Sequence, residues 1–262
     1  MDSIVTSSLA WVLSLCLLGS LISVGAAGAY LLLPQLLRDK SLDYLICFAI
    51  GMLLGASFLH LLPEAIAQAG DSIHGIMQTA VSAILAFFIL EKGLIWRHHH
   101  HESHLEPRHA DEIQSGEHAG SRILIGDSVH NFLDGVLIAS AFLADFSLGI
   151  VTVLAVIAHE IPQELGDFAI LIKSGYTRSR ALFYNLLTSV AMIIGATLAW
   201  FWLTEFSNLI PYLLTFTAAS FIYVAVSDLM PTLNSKIGLS ATTIQIILIG
   251  LGLALNGLVH TS

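Results

Sequence analysis

Two short polar runs hold the residues best suited to chemistry: His130-Asn131-Phe132-Leu133-Asp134-Gly135 and His159-Glu160-Ile161-Pro162-Gln163-Glu164-Leu165-Gly166-Asp167. Imidazole nitrogen, carboxylate and amide oxygen together form a donor set for borderline divalent cations such as zinc. No thiolate is present to hold such an ion too tightly for release. Helical spacing gathers the donors, because positions i, i+3, i+4 and i+7 share a face. Asp127, His130, Asn131 and Asp134 thus form one stripe. His159, Gln163 and Asp167 form another, with Glu160 and Glu164 beside it. Pro162 removes a backbone donor in mid-helix and frees a carbonyl near Ala158. A lone amide in such a place commonly serves as interhelical hydrogen-bond glue. Two histidines, several carboxylates and two amides exceed what that role needs.

Both runs interrupt apolar segments long enough to cross a bilayer, where ionisable groups are expensive and mark function. The 262-residue chain is 56% hydrophobic and 11% charged, with a mean hydropathy of +0.82. That is the composition of a polytopic membrane protein. Eight spans are expected, at Leu9 to Leu36, Asp43 to Ala67, Gly75 to Trp96, Arg122 to Leu143, Leu148 to Lys173, Arg180 to Leu203, Leu209 to Met230 and Ala241 to His260. The fourth and fifth are joined by about four residues, so they should be antiparallel neighbours whose stripes meet near mid-membrane. One connection is long. Arg97 to Ser121 is polar and carries His98, His99, His100 and His101, which reads as a solvated, mobile loop able to bind metal weakly and exchangeably. Four regions follow: residues 1–96 with spans one to three, the loop 97–121, residues 122–173 with the polar runs, and residues 174–262 with spans six to eight.

The basic residues orient the spans. All ten Lys and Arg fall on one side of an eight-span layout, and the other side carries Asp2, Asp71, Asp145 and Glu205. By the positive-inside rule both termini are extracytoplasmic. The first apolar run lacks a basic leader and a small-residue cleavage site, so it is expected to be a retained span. A net charge of −9 with no basic patch excludes nucleic acid as a partner. Cys16 and Cys47 sit in apolar segments and make no disulfide framework. On the acidic side, His60 and Glu64 at i, i+4 in the second span, with Pro63 between them, could relay an incoming ion. Asp228, before Met230-Pro231 at the inner end of the seventh span, could line its exit.

The two runs resemble the HNFxDG and HExPHE motifs of the ZIP (zinc–iron-regulated transporter-like) metal transporters. The resemblance extends to the eight-span layout, the histidine-rich loop and His60-Leu61-Leu62-Pro63-Glu64. It implies an all-α membrane fold in a 3+2+3 arrangement, with inverted three-helix repeats around spans four and five. It also implies a binuclear centre in which His130, Asp134, His159 and Gln163 make one site. Asn131 and Glu160 would make a second, bridged by Asp134 and Gln163. Two departures stand out: Gln163 replaces the motif's second histidine, and the sixth span lacks the carboxylate that some members supply. Glu164 or Asp167 could take that place, or a single ion is bound.

The expected function is import of a divalent ion into the cytoplasm by alternating access. Zinc is the first choice, with iron, manganese and cadmium open. The metal is cargo, and no cofactor is called for. The lipid bilayer is the other partner, and oligomeric state stays open, a homodimer included. The membrane is the plasma (inner) membrane if the chain is bacterial, otherwise a plasma or endomembrane. Two rivals come from other classes. His159-Glu160-x-x-Gln163 is one residue short of the zinc-hydrolase HExxH helix, which would make an intramembrane metalloprotease. A non-transporting metal sensor would bind the ion without moving it.

Overall fold

Long runs of Leu, Ile, Val and Ala fold as helices in a bilayer because hydrocarbon offers backbone N–H and C=O groups no other partner. The computed structural model describes residues 2–30, 34–102, 111–233 and 238–259, and its regular structure is entirely helical. Helix α1 is Asp2–Tyr30, α3 is Ile73–Glu102, α4 is Asp111–Ala144, α5 is Phe146–Lys173 and α8 is Leu239–Val259. Helix α2 runs through Gln35–Gly55, Ala56–Leu61 and Leu62–Ala69. Helix α6 comprises Arg178–Thr188 and Val190–Glu205, and α7 comprises Ile210–Tyr223, Val224–Leu229 and Met230–Leu233. Seven of these helices are long and apolar enough to cross a membrane. The eighth has a shorter apolar run, Ala241–Gly257. Its 21 helical residues nevertheless reach about 31 Å, enough to match the hydrocarbon thickness.

Large apolar side chains such as Leu17 on α1, Ile89 on α3, Phe201 on α6 and Ile246 on α8 face outward, as lipid requires. Inside, α1 packs on α5 as α6 packs on α4, and α2 on α8 as α7 on α3. Likewise α2 packs on α5 as α7 packs on α4. These pairings survive exchange of helices one to three with six to eight and of four with five, which is the pattern of an inverted repeat around α4 and α5.

The same symmetry appears in the backbone. Ala56–Leu61 in α2 and Val224–Leu229 in α7 are both π-helical. Pro63 and Pro231 each follow the widened segment by two residues. A proline lacks the donor for the carbonyl four residues back and crowds it. The wider turn relieves that crowding, with Leu62 N–H bonded to the Ser57 carbonyl and Met230 N–H to that of Ala225. His60 and Asp228 occupy the same register in the two segments.

Glycine sets the contact between α4 and α6. A Cβ added at Gly135 would strike the Met192 carbonyl, and one at Gly195 would strike that of Phe132. The backbones therefore touch, as small residues permit in membrane helix pairs. The last residue of the HNFxDG run is thus a packing requirement.

Two expectations change. The α4–α5 link is the single residue Asp145, not about four residues. Its extended backbone and side chain cap α5, accepting from Leu148 N–H at 3.1 Å, so no longer turn is needed. The segment 97–121 is helical at both ends: α3 continues through His98, His99, His100 and His101 to Glu102, and α4 begins at Asp111. No proline or glycine interrupts residues 97–102, so the helix that starts in the apolar run continues into the polar one. Residues 103–110 lie outside the described residues.

Candidate metal centre

Helices α4 and α5, held antiparallel by the Asp145 cap, bring their polar stripes face to face. His130, Asp134, His159 and Glu160 each offer one ligand atom, and these atoms all lie within 4.8 Å of one another. His130 Nε2 is 3.2 Å from His159 Nε2, 3.5 Å from Asp134 Oδ2 and 3.7 Å from Glu160 Oε1. His159 Nε2 is 3.3 Å from Asp134 Oδ2. A tetrahedral zinc with N and O ligands at about 2.0–2.1 Å has ligand–ligand edges of about 3.3–3.4 Å. The four observed separations bracket that edge.

Hydrogen bonding prepares the donors. His159 Nδ1 lies 2.9 Å from the Ala155 carbonyl, which can only accept. Nδ1 therefore carries the hydrogen and Nε2 presents its lone pair to the group, the usual arrangement for a ligating imidazole. A shared proton could hold the two imidazoles together. It would still leave Asp134 Oδ2 and Glu160 Oε1, both buried and without a hydrogen bond among the described residues. A cation satisfies all four atoms. His130 is the accessible rim of the group, its side chain 25% exposed against 2% for Asp134 and Glu160 and 1% for His159.

The ZIP Zinc transporter family profile matches residues 7–106 and 96–260 of the sequence. The chain belongs to the ZIP zinc transporter family. It is 32% identical over 246 residues to zinc transporter ZIP13 of Pongo abelii, covering 85% of this chain and 70% of that protein. It is 31% identical over 266 residues to the uncharacterized zinc transporter P8A3.03 of Schizosaccharomyces pombe, covering 78% of this chain and 59% of that one. Zinc transporter YKE4 of Saccharomyces cerevisiae is 30% identical over 215 residues, covering 73% of this chain and 61% of the relative. The chain thus spans about three fifths of the two yeast relatives' length.

ZIP membership makes this a multi-pass membrane protein and a transporter-family chain, not an enzyme. The geometry agrees that His159 and Gln163 are not a hydrolase ligand pair. Gln163 turns its amide Nε2 to Asp127 Oδ1 at 3.3 Å. Asn131 does likewise, with Nδ2 donating to Asp127 Oδ1 at 3.0 Å and to the Asp127 carbonyl at 3.2 Å. The grouping therefore differs from the one carried over by motif position: Glu160 joins His130, Asp134 and His159, while Asn131 and Gln163 gather around Asp127. The cause is chemical. The Asp127 carboxylate only accepts, and an amide N–H is the donor it can draw.

The other singled-out residues lie apart from this group. Glu164 is fully buried beside it in sequence, and Asp167 is half-buried one turn further along α5. His60 is buried on α2, its Nε2 3.0 Å from the Asn256 carbonyl on α8. Glu64 accepts from Gln68 at 2.8 Å near the end of α2. Asp228 lies in the π segment of α7. Sequence reasoning overlooked Asn185 on α6, whose Nδ2 donates to the Glu164 main-chain oxygen at 3.3 Å. The sixth span holds no carboxylate, and the signal at Asn185 is an amide in an otherwise apolar segment.

Proposed function

We propose that the chain carries Zn²⁺ from the extracytoplasmic side to the cytoplasm through the His130, Asp134, His159 and Glu160 centre. The observation that carries this reading is the convergence of two imidazole nitrogens and two carboxylate oxygens within 4.8 Å of one another inside an apolar bundle, with His130, Asp134 and His159 close to tetrahedral-edge spacing. Zinc binding would offset the cost of burying both carboxylates. The mixed N/O set, without thiolate, favours exchange over permanent retention. The relatives' description as zinc transporters supports zinc as cargo.

The direction follows from charge. The ends of the spans that carry the chain's Lys and Arg are assigned to the cytoplasm, which leaves both termini on the other face. His60 and Glu64 then lie on the approach and Asp228 on the departure. His98, His99, His100 and His101 meet the ion after release. The inverted repeat supplies the means, since the equivalent bundles α1–α3 and α6–α8 can tilt in turn against α4 and α5. All four candidate ligands come from α4 and α5 of one chain. Uptake into proteoliposomes tests the reading: wild type fills with Zn²⁺, and His130→Ala with His159→Ala does not. Metal binding without flux in wild type would favour a sensor instead.

A further inference from the structure

Helix α7 supplies none of the four candidate ligands, yet one of its side chains meets the centre. The Phe221 ring lies 5.8 Å from the His159 ring, centroid to centroid, with the planes 61° apart. That is the tilted, edge-to-face range of favourable aromatic pairs. The same imidazole meets the His130 ring at 5.4 Å and 90°, and its Nδ1 lies 2.9 Å from the Ala155 carbonyl. The hydrogen bond settles which nitrogen carries the proton. It holds the ring at one corner only, and a ring held at one corner can still swing. Phe221 packs against that swing.

The backbone behind Phe221 is braced. One turn earlier, the Ser57 hydroxyl of α2 lies 3.1 Å from the Ala218 carbonyl as well as 2.8 Å from that of Leu53, which joins α2 to α7. On the other face of α7, Phe87 of α3 lies 5.1 Å from the Phe216 ring and 6.1 Å from that of Tyr223. The inverted repeat supplies an internal comparison. Phe221 stands three residues before the π segment of α7, and Leu53 stands three before that of α2. Both are buried, at 1% and 0% exposure. An aliphatic side chain fills the core at the equivalent position, so packing alone does not call for a ring at 221.

We propose that Phe221 is a positioning residue for the metal centre, its ring holding the His159 imidazole in the orientation that presents Nε2 to the ion. The inference rests on reading His130, Asp134, His159 and Glu160 as the ion's ligands. It makes the affinity of a ligand on α5 depend on packing against α7. Separation of α7 from α5 then loosens the ion, which gives a carrier a means of release.

The test titrates the chain in nanodiscs with Zn²⁺, and with Co²⁺ as a spectroscopic stand-in. Four-coordinate Co²⁺ absorbs strongly in the visible, and higher coordination absorbs much more weakly. Phe221→Leu copies the side chain of the other repeat and should leave Tm near wild type. It should weaken Zn²⁺ about two- to tenfold, the worth of one aromatic pair, and lower the Co²⁺ band as water replaces the displaced imidazole. Phe221→Ala, which also removes packing, should show the same spectral change with a lower Tm. Leu214→Ala, two turns away on α7 at a residue 0% exposed, should lower Tm and leave the band and the affinity unchanged. A wild-type band and affinity in Phe221→Leu overturn the proposal, as does an equal loss of the band in Leu214→Ala. Retention of the band and the affinity by His159→Ala overturns the centre instead.

Discussion

Replacing Glu160 by Gln separates the observed grouping of ligands from the one implied by motif position. The substitution keeps size and an oxygen but removes a negative charge whose Oε1 lies 3.7 Å from His130 Nε2. Two unit charges about 4 Å apart interact by about 4 kcal/mol at an effective dielectric near 20. Part of that returns, because burying an amide costs less than burying a carboxylate. A net loss of about 1.5–3 kcal/mol remains, which is about ten- to hundredfold in Zn²⁺ affinity. Gln163→Ala instead removes an amide that donates to Asp127 Oδ1 at 3.3 Å. Its cost should be about 1 kcal/mol, under tenfold. Equilibrium Zn²⁺ binding to the purified chain measures both. If Gln163→Ala weakened binding a hundredfold while Glu160→Gln left it within threefold, the grouping argued from the interatomic distances would be wrong.

Other predictions concern the elements that position the centre. Gly135→Ala should destabilise the protein by about 1–3 kcal/mol, read as a lower Tm in detergent, because its Cβ meets the Met192 carbonyl. Gly126→Ala, at a position where a Cβ meets nothing within 4 Å, is the matched control. Asp145→Ala removes the cap of α5 and should cost about 1 kcal/mol of stability; an unchanged Tm would argue against the cap. His60→Ala should slow uptake while leaving equilibrium Zn²⁺ binding at the centre unchanged, since His60 bonds to the Asn256 carbonyl on α8 and is not one of the four candidate ligands. A parallel loss of both would place His60 in the centre.

Periodicity and charge made much of the architecture legible. The polar stripes on α4 and α5 follow from i, i+4 spacing, and the one-sided distribution of Lys and Arg fits only an eight-span reading. What periodicity conveys is which face a residue occupies, not which partner its rotamer selects. Glu160 and Gln163 both point toward α4 by spacing. The competition that sends Gln163 to Asp127 depends on how α4 and α5 are rotated against each other. The π segments escaped notice for a related reason. Pro63 and Pro231 signal a disturbed helix, yet a kink, a break and a widened turn share that signal. Asn185 was hidden by its chemistry, because an amide in an apolar span has the same appearance whether it tethers helices or faces an ion. Gly135 was visible as part of a motif, but its contact with α6 depends on a helix 57 positions further on, at Met192.

The most direct test of the central claim is Zn²⁺ flux across a membrane containing only this protein. Proteoliposomes loaded with a zinc-sensitive dye are exposed to external Zn²⁺, with wild type beside His130→Ala, His159→Ala. Wild type should fill, and the double variant should remain at the level of protein-free vesicles while still folded and inserted. Uptake by the folded double variant at the wild-type rate would contradict the account, because the ion would then be crossing without the centre.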